Sequence, residues 1–442
     1  MSIHPPPSAP DVATSLSADD DGIERRGFLK CMAWAGTGML WSLHGGVLRS
    51  MALTPAALDA VDTSASALFF MQISDSHIGF SKGANTDVTA TLQAAVAKIN
   101  ALPTPPAFVL HTGDITQLAK ASEFDTAHQV LTTVRTDTIL YVPGEHDVGT
   151  DNGASYLDRY GKHTQRGSTG GGWYSFEHSG VHFIGLVNVL NLKAGGLGSL
   201  GAEQLAWLKR DVAPLSSSTP IVVFAHVPLW TIYPEWGWGT EDSAQALACL
   251  KRFGSVTVLN GHIHQTMQKV EGHIAFHTAL STAFPQPAPG TAPAPGPMTV
   301  PADRLGDVLG IRQVHYLPHA HSLAVVDQTL SGHSPAAAMA LGEAAARKTA
   351  AEEHPTPAVA TTEIVIHNFA FAPTVLTASV GSPVTWVNRD DTAHRIVSAN
   401  NQFPSSPTLD TGNRHTVTFA KAGTYRYYCA LHPMMTGTIV IR

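Results

Sequence analysis

The chain has 442 residues, a formal net charge of -7 and only 14% charged residues, where an average soluble domain has roughly 25%. The length predicts two or three domains with a real core. Acidic and basic residues are mixed, so there is no basic footprint for nucleic-acid recognition, and three cysteines (Cys31, Cys249, Cys429) are too few for a disulfide framework.

Residues 1–22 are rich in Pro, Ser and Asp and read as disordered. Glu24-Arg25-Arg26-Gly27-Phe28-Leu29-Lys30 follows, then an apolar stretch to about Val47. This segment resembles a twin-arginine export signal, departing from the commonest form in having Glu24 before the arginine pair. The resemblance implies periplasmic or secreted localisation, with 1–60 as disordered N-terminus and signal, and with Cys31 lost on export. The apolar part is too short and too rich in Gly for a stable transmembrane anchor.

Between 66 and 330 strands and helices alternate. Thr86 or Asp87 caps a predicted helix with Val88, Leu92, Val96 and Ile99 on one face. Trp173 to Phe176 and Val181 to Val187 read as a hairpin around Ser179-Gly180. A second amphipathic helix begins at Glu203. Such alternation predicts a layered α/β domain. Cys249, among Ala246, Leu247 and Leu250, reads as a buried core thiol. The Pro/Ala/Gly tract Pro285 to Pro301 reads as a long surface loop, and His315, His319 and His321 as structural or surface histidines.

Five short apolar runs in this region each end in metal-ligand residue types. Asp75-Ser76-His77 follows Leu68 to Met71, and Gly113-Asp114 follows Phe108 to Leu110. Gly144-Glu145-His146-Asp147 follows Ile139 to Val142, His226 follows Ile221 to Ala225, and Gly261-His262-Ile263-His264 follows Val256 to Asn260. Shared donors at successive strand ends predict one site at one sheet edge. Asp75, His77, Asp114, Glu145, His226, His262 and His264 supply three carboxylates and four imidazoles, the complement of a two-metal centre with Asp114 bridging. Such a centre lowers the pKa of a bridging water and neutralises charge on a phosphoryl group. Asp114, His146 and Asp147 are the candidate catalytic residues, with His146 placed as proton donor or oxyanion stabiliser.

This series of motifs resembles the calcineurin-like metallophosphoesterase superfamily over roughly 66–325, and Trp173-Tyr174-Ser175-Phe176 and Leu200-Gly201-Ala202-Glu203 also look like that family. The resemblance implies a four-layer α/β/β/α sandwich. It also implies that Asp75, His77, Asp114 and His264 hold one ion, while Asp114, the residue at 145, His226 and His262 hold the other. The ions would be two divalent or mixed-valence metals: iron, manganese or zinc. Two departures stand out. The family usually has Asn where this chain has Glu145; a carboxylate makes the donor shell more negative by one, which favours a more highly charged ion such as ferric iron. Gln117 replaces the Tyr that colours the purple acid phosphatase branch, which points away from that branch.

Residues 331–360, rich in Ala, Glu and His, read as a linker. From 361 to 442 alternating strands predict a separate all-β sandwich. His394 and Cys429-Ala430-Leu431-His432-Pro433-Met434-Met435 offer two imidazoles, a thiolate and a thioether, a donor set suited to copper cycling between two oxidation states. The segment resembles the cupredoxins, small blue copper proteins with a Greek-key sandwich, and within them amicyanin and pseudoazurin. Carried over, the copper ligands are His394, Cys429, His432 and Met435; Met434 falls one residue short of the expected spacing.

The expected function is an exported phosphoesterase that hydrolyses phosphomonoesters or phosphodiesters by a metal-activated hydroxide, with an accessory type 1 copper domain. A phosphate ester is the expected substrate, and a redox partner is implied for the copper domain. The alternatives are a copper-binding electron-transfer or copper-handling protein whose larger domain is a scaffold, and an envelope binding protein using neither chemistry.

Overall fold

The computed structural model describes residues 68–149, 151–161, 171–190, 192–292, 294–317, 322–332, 362–390 and 392–442, with the backbone of 39–44 and 47–52. The twin-arginine-like segment, Cys31, His319, His321 and nearly all of 331–360 lie outside the described residues. Met39–His44 (β1) and Val47–Ala52 (β2) pair as an antiparallel hairpin. No helix among the described residues is long and apolar enough to cross a membrane.

The apolar runs Leu68–Ile73 (β3), Val109–His111 (β4) and Ile139–Tyr141 (β5) pair in parallel. Gly310–Leu317 (β12) and Ser322–Thr329 (β13) add antiparallel strands on the β3 edge, giving the order β13-β12-β3-β4-β5. A second sheet contains Tyr174–His178 (β6), Val181–Gly185 (β7), Ile221–Phe224 (β8), Val256–Asn260 (β9), Gln268–Glu271 (β10) and Ile274–Thr278 (β11). Its order is β10-β11-β9-β8-β7-β6, with the four central strands parallel. The central strands β4, β7, β8 and β9 are buried along their whole length because both faces of each sheet are covered there. Phe70, Leu110 and Val314 of the first sheet meet Phe183, Val222, Phe224 and Leu259 of the second in one core.

Helices cover the outer faces. Val88–Asn100 (α1) starts where Asp87 Oδ1 accepts the Ala90 N–H at 2.9 Å, and buries Val88, Leu92, Val96 and Ile99 as one stripe. With Ala121–Leu131 (α2) it packs on Met71, Ile73 and Val109 of the first sheet. One turn, Glu145–Val148 (α3), and Ala154–Tyr160 (α4) follow β5. Gly201–Val212 (α5) and Ser243–Leu250 (α6) supply the remaining layer, completing α/β/β/α. The β6–β7 turn places Ser179 at φ 50° and Gly180 at φ 76°, the backbone pair that matches strand twist in a two-residue hairpin.

Cys249 departs from the expected buried thiol: it is half-buried at the edge of α6, whose inward face is Ala246, Leu247 and Leu250. Pro285 to Pro301 also departs from the expected surface loop. Pro285, Pro287, Pro295, Met298 and Val300 are buried, because a tract poor in bulky side chains lets its backbone lie between other surfaces.

The C-terminal segment forms two four-stranded sheets. One contains Glu363–His367 (β14), Ala370–Ala372 (β15), Pro383–Asn388 (β17) and Arg414–Thr418 (β19) in the order β15-β14-β17-β19. The other contains Val375–Ala378 (β16), Ile396–Ser398 (β18), Gly423–Cys429 (β20) and Thr436–Ile441 (β21) in the order β16-β21-β20-β18. Trp386 and Tyr427 meet edge to face at 5.3 Å in the shared core. Strands β15, β16 and β18 are too short for alternation to reveal them in sequence.

Among the described residues, direct contacts seat the sandwich against the layered domain. Arg395 Nη1 donates to Gly149 O at 2.8 Å, Gly195 N donates to Pro433 O at 2.7 Å, and Lys82 Nζ lies 3.4 Å from Asp410 Oδ1.

Candidate metal centres

Each donor-bearing motif of the layered domain lies just past a strand end. Asp75 and His77 follow β3, Asp114 follows β4, Glu145 and His146 follow β5, His226 follows β8, and His262 and His264 follow β9. The backbone there is held in an uncommon conformation. Asp75, His77, Asp114, His262 and His264 all have φ between 42° and 70°, a left-handed region that side-chain-bearing residues rarely adopt and that persists where surroundings over-determine it. Two glycines permit the convergence. A Cβ on Gly144 would lie 2.0 Å from Asp114 Oδ1, and one on Gly261 would lie 2.0 Å from Ser74 Oγ and 2.6 Å from Asp75 Oδ2.

Two groups of donors result. Asp75, His77 and His264 form one, and Glu145, His226 and His262 the other. Asp114 stands between them: its Oδ2 is 3.5 Å from His77 Nε2 and 3.4 Å from His226 Nε2. All seven are buried or nearly so. Glu145 Oε2 is 3.0 Å from His226 Nε2, and Glu145 Oε1 is 2.9 Å from His262 Nδ1. Yet Glu145 Oε2, His226 Nε2 and both ring nitrogens of His262 make no aligned hydrogen bond. Buried polar atoms are nearly always paired; a carboxylate oxygen and imidazole nitrogens left unpaired this close together fit a bound cation.

The far side of each ring supports this. His226 Nδ1 is 2.7 Å from Thr112 O, His264 Nδ1 is 2.6 Å from Phe284 O, and His77 Nδ1 is 3.0 Å from Gln117 Oε1. Each oxygen accepts from Nδ1–H and leaves Nε2 as the lone pair, the usual support for a metal-binding imidazole. Burial drives His77 down to about 3, so it stays neutral. Burial works against charge on Glu145, but His262 and His226 outweigh it and hold the carboxyl well below its usual range.

His146 and Asp147 differ in placement. His146 borders the cavity: Nδ1 is 2.8 Å from Gln117 O, and its backbone N–H donates to Asp114 Oδ1 at 3.0 Å. It also groups with His77 and Asp114 as a potential metal donor. Asp147 is fully buried and accepts from Gly144 N, Ile115 N, Thr116 N and Thr116 Oγ1 at 2.8 to 3.1 Å. Those bonds tie the Asp114 loop to the start of α3. Its carboxylate therefore positions neighbours and does not line the cavity.

In the sandwich, His394 Nδ1, His432 Nδ1 and Cys429 Sγ form a buried triangle with sides of 3.3, 3.5 and 3.7 Å. A point equidistant from three such atoms lies about 2 Å from each, the length of a metal–imidazole bond. Burial raises the Cys429 thiol, but the hydrogen bond from His394 outweighs it and favours thiolate. Met435 is buried in the same core, while Met434 faces the cavity of the layered domain. Asp390, which no metal-ligand spacing in the sequence marks, accepts from His394 Nε2 at 2.8 Å and fixes that ring.

A cleft open to solvent lies over the two donor groups. Trp236, Trp238 and Phe284 form part of its wall. The opposite wall belongs to the sandwich: Phe369, Leu431, His432, Pro433 and Met434. No local signal in the sequence could have revealed that wall, because it exists only through docking. His315 lies apart, stacked on Phe69 at 4.6 Å.

Comparison with known proteins finds two families along the chain. Residues 70–266 match the calcineurin-like phosphoesterase family model, and 336–441 match the cupredoxin-like domain model, which begins inside the expected linker. Amicyanin-alpha of Methylorubrum extorquens is 30% identical over 116 residues, 25% of this chain and 92% of that protein. Amicyanin of Paracoccus denitrificans is 33% identical over 70 residues, 15% of this chain and 53% of that protein. Purple acid phosphatase 15 of Arabidopsis thaliana is 27% identical over 134 residues, 28% of this chain and 24% of that protein. This chain thus spans about half of the second relative and a quarter of the third. A dimetal phosphatase structure from Danio rerio aligns over 57% of this chain and 93% of its own, at 14% identity and a TM-score of 0.41. The chain belongs to the cupredoxin family through its C-terminal domain, and ahead of that domain it carries a calcineurin-like phosphoesterase domain.

Proposed function

We propose that the chain is an exported, metal-dependent phosphoric ester hydrolase acting on phosphomonoesters or phosphodiesters, with a type 1 copper site in its cupredoxin domain. The observation that carries this reading is Asp114, whose Oδ2 lies within 3.5 Å of an imidazole from each donor group. On this reading Asp75, His77, Asp114 and His264 hold one ion, and Asp114, Glu145, His226 and His262 the other. His394, Cys429, His432 and Met435 hold copper. Iron, manganese and zinc all suit the mixed carboxylate–imidazole set. The twin-arginine-like segment supports export.

An ion pair held there would supply Lewis acidity toward a phosphoryl oxygen and a lowered pKa for water. The protein's own residues do the rest. Asp114 sets the separation of the two donor groups. With Nδ1 of His146 fixed on the Gln117 carbonyl, the other edge of the ring is free to hydrogen-bond an ester oxygen. Asp147 holds the Asp114 loop against α3. Trp236, Trp238 and Phe284 offer apolar surface to the organic part of an ester. Glu145, in place of a neutral amide, adds one negative charge and favours a more highly charged ion at its own position.

The test is turnover of aryl phosphate monoesters and diesters after reconstitution with iron, manganese or zinc. Protein that binds two ions yet turns over neither ester class removes the hydrolase reading. A second reading, an electron-transfer or copper-handling protein with the layered domain as scaffold, is favoured by the sandwich residues that wall the cavity. It would be supported by a blue colour lost in Cys429→Ser together with absent ester turnover in the parent protein.

A further inference from the structure

The copper donor set and the phosphoesterase cavity meet at one side chain. His432 Nδ1 is 3.7 Å from Cys429 Sγ and 3.3 Å from His394 Nδ1. The same ring lines the cavity beside His77, Asp114, Glu145 and His146. With Nδ1 turned to the copper donors, the opposite edge of the imidazole is the one that borders the cavity. His146 faces it with ring centroids 5.4 Å apart, and His146 in turn lies 4.8 Å from His77.

The ring has no room to swing aside. Phe369 packs edge-on against it at 4.8 Å. Phe369 is itself backed by the Pro/Ala/Gly tract, where a Cβ on Gly296 would come within 2.3 Å of the phenyl ring. The loop that carries His432 is tied down by the Gly195 N–H to Pro433 O bond of 2.7 Å. The Arg395 to Gly149 bond of 2.8 Å holds the neighbouring loop.

Resting on the phosphoesterase reading above, we propose that His432 makes the copper site and the phosphoesterase cavity one linked site: a phosphate oxyanion in the cavity binds against the outer edge of a copper ligand, with an affinity set by the oxidation state of copper. The sign follows from charge. Cupric copper carries one more positive charge than cuprous copper. Across a buried ring that charge is weakly screened, and it both attracts the anion and polarises the His432 N–H toward it. Oxidised protein therefore binds phosphate more tightly. Linkage is reciprocal, so bound phosphate stabilises the cupric state and lowers the copper midpoint potential. The event is a binding equilibrium in which no bond to phosphorus forms or breaks.

The experiment uses the full chain with zinc in the phosphoesterase site and copper in the cupredoxin site, so that copper alone changes oxidation state. Inorganic phosphate is titrated calorimetrically into oxidised protein and into protein whose cupric ions have each taken one electron from ascorbate. The copper midpoint potential is read from the blue absorption with and without phosphate. The oxidised form should bind about fivefold more tightly or better, the low end of allosteric couplings, and phosphate should lower the potential. Equal affinities with an unmoved potential overturn the link and leave the phosphoesterase reading standing. Tighter binding to the reduced form overturns it as well. Phosphate that binds neither form overturns both readings.

Discussion

The two donor sets are assembled over different ranges of sequence. Cys429 ends β20, His432 and Met435 lie in the loop from there to β21, and His394 joins from 35 residues before Cys429. The layered domain gathers its donors from five strand ends; the His262 N–H that donates to Asp75 is 187 residues away from it. A local loop presents its donors through a short stretch of backbone. A dispersed set depends on the register and curvature of two sheets, and on residues such as Asp147 and Gly144 that hold strand ends together. The local set should therefore fail one ligand at a time, and the dispersed set should fail as a whole when its shared member is lost.

The largest expected break is Asp114→Asn. Removing the carboxylate common to both groups should lower ester turnover by more than the roughly 10–100-fold that loss of an outer-shell partner costs, with both ions depleted by metal analysis. Loss of one ion with the other retained at full occupancy would show that the two groups are independent. On the copper side Asp390→Ala should weaken copper binding by about 10–100-fold, measured by competition with a chelator, while the layered domain keeps two ions. Loss of ions from both centres in that variant would erase the contrast between local and dispersed assembly.

Glu145→Gln is expected to act more gently. It keeps the shape of the side chain and removes one negative charge from the donor shell, so the ratio of ferric iron to divalent ion retained should fall. Unchanged metal content and turnover would remove the charge argument. The smallest effect concerns stability away from either centre. Burial lowers the pKa of His182, but hydrogen bonds to Asp211 and Glu177, at 2.9 and 2.5 Å, outweigh it and raise the pKa above its usual 6.5. A raised folded-state value means the contribution is fully present below the unfolded pKa and fades as pH rises through the folded one. His182→Gln should thus cost about 1 kcal/mol or less, in keeping with partly screened pairs, in denaturant melts at acidic pH. The cost should vanish at alkaline pH; an equal cost at both would assign the effect to packing.

The sequence by itself determined the fold class, the order of strands that end in donor residues, the α1 cap at Asp87 and the Ser179-Gly180 hairpin, because each is a short-range consequence of periodicity, capping or turn chemistry. It also singled out Cys429 and His432, which lie three residues apart. Only the tertiary structure decided that Asp147 serves backbone donors outside the cavity, that Asp390 braces His394, that the Pro285 to Pro301 tract is partly buried, and that His432 borders the cavity as well as Cys429 and His394. These depend on contacts between segments far apart in the chain. The docking of two domains creates surfaces whose partners no local pattern encodes.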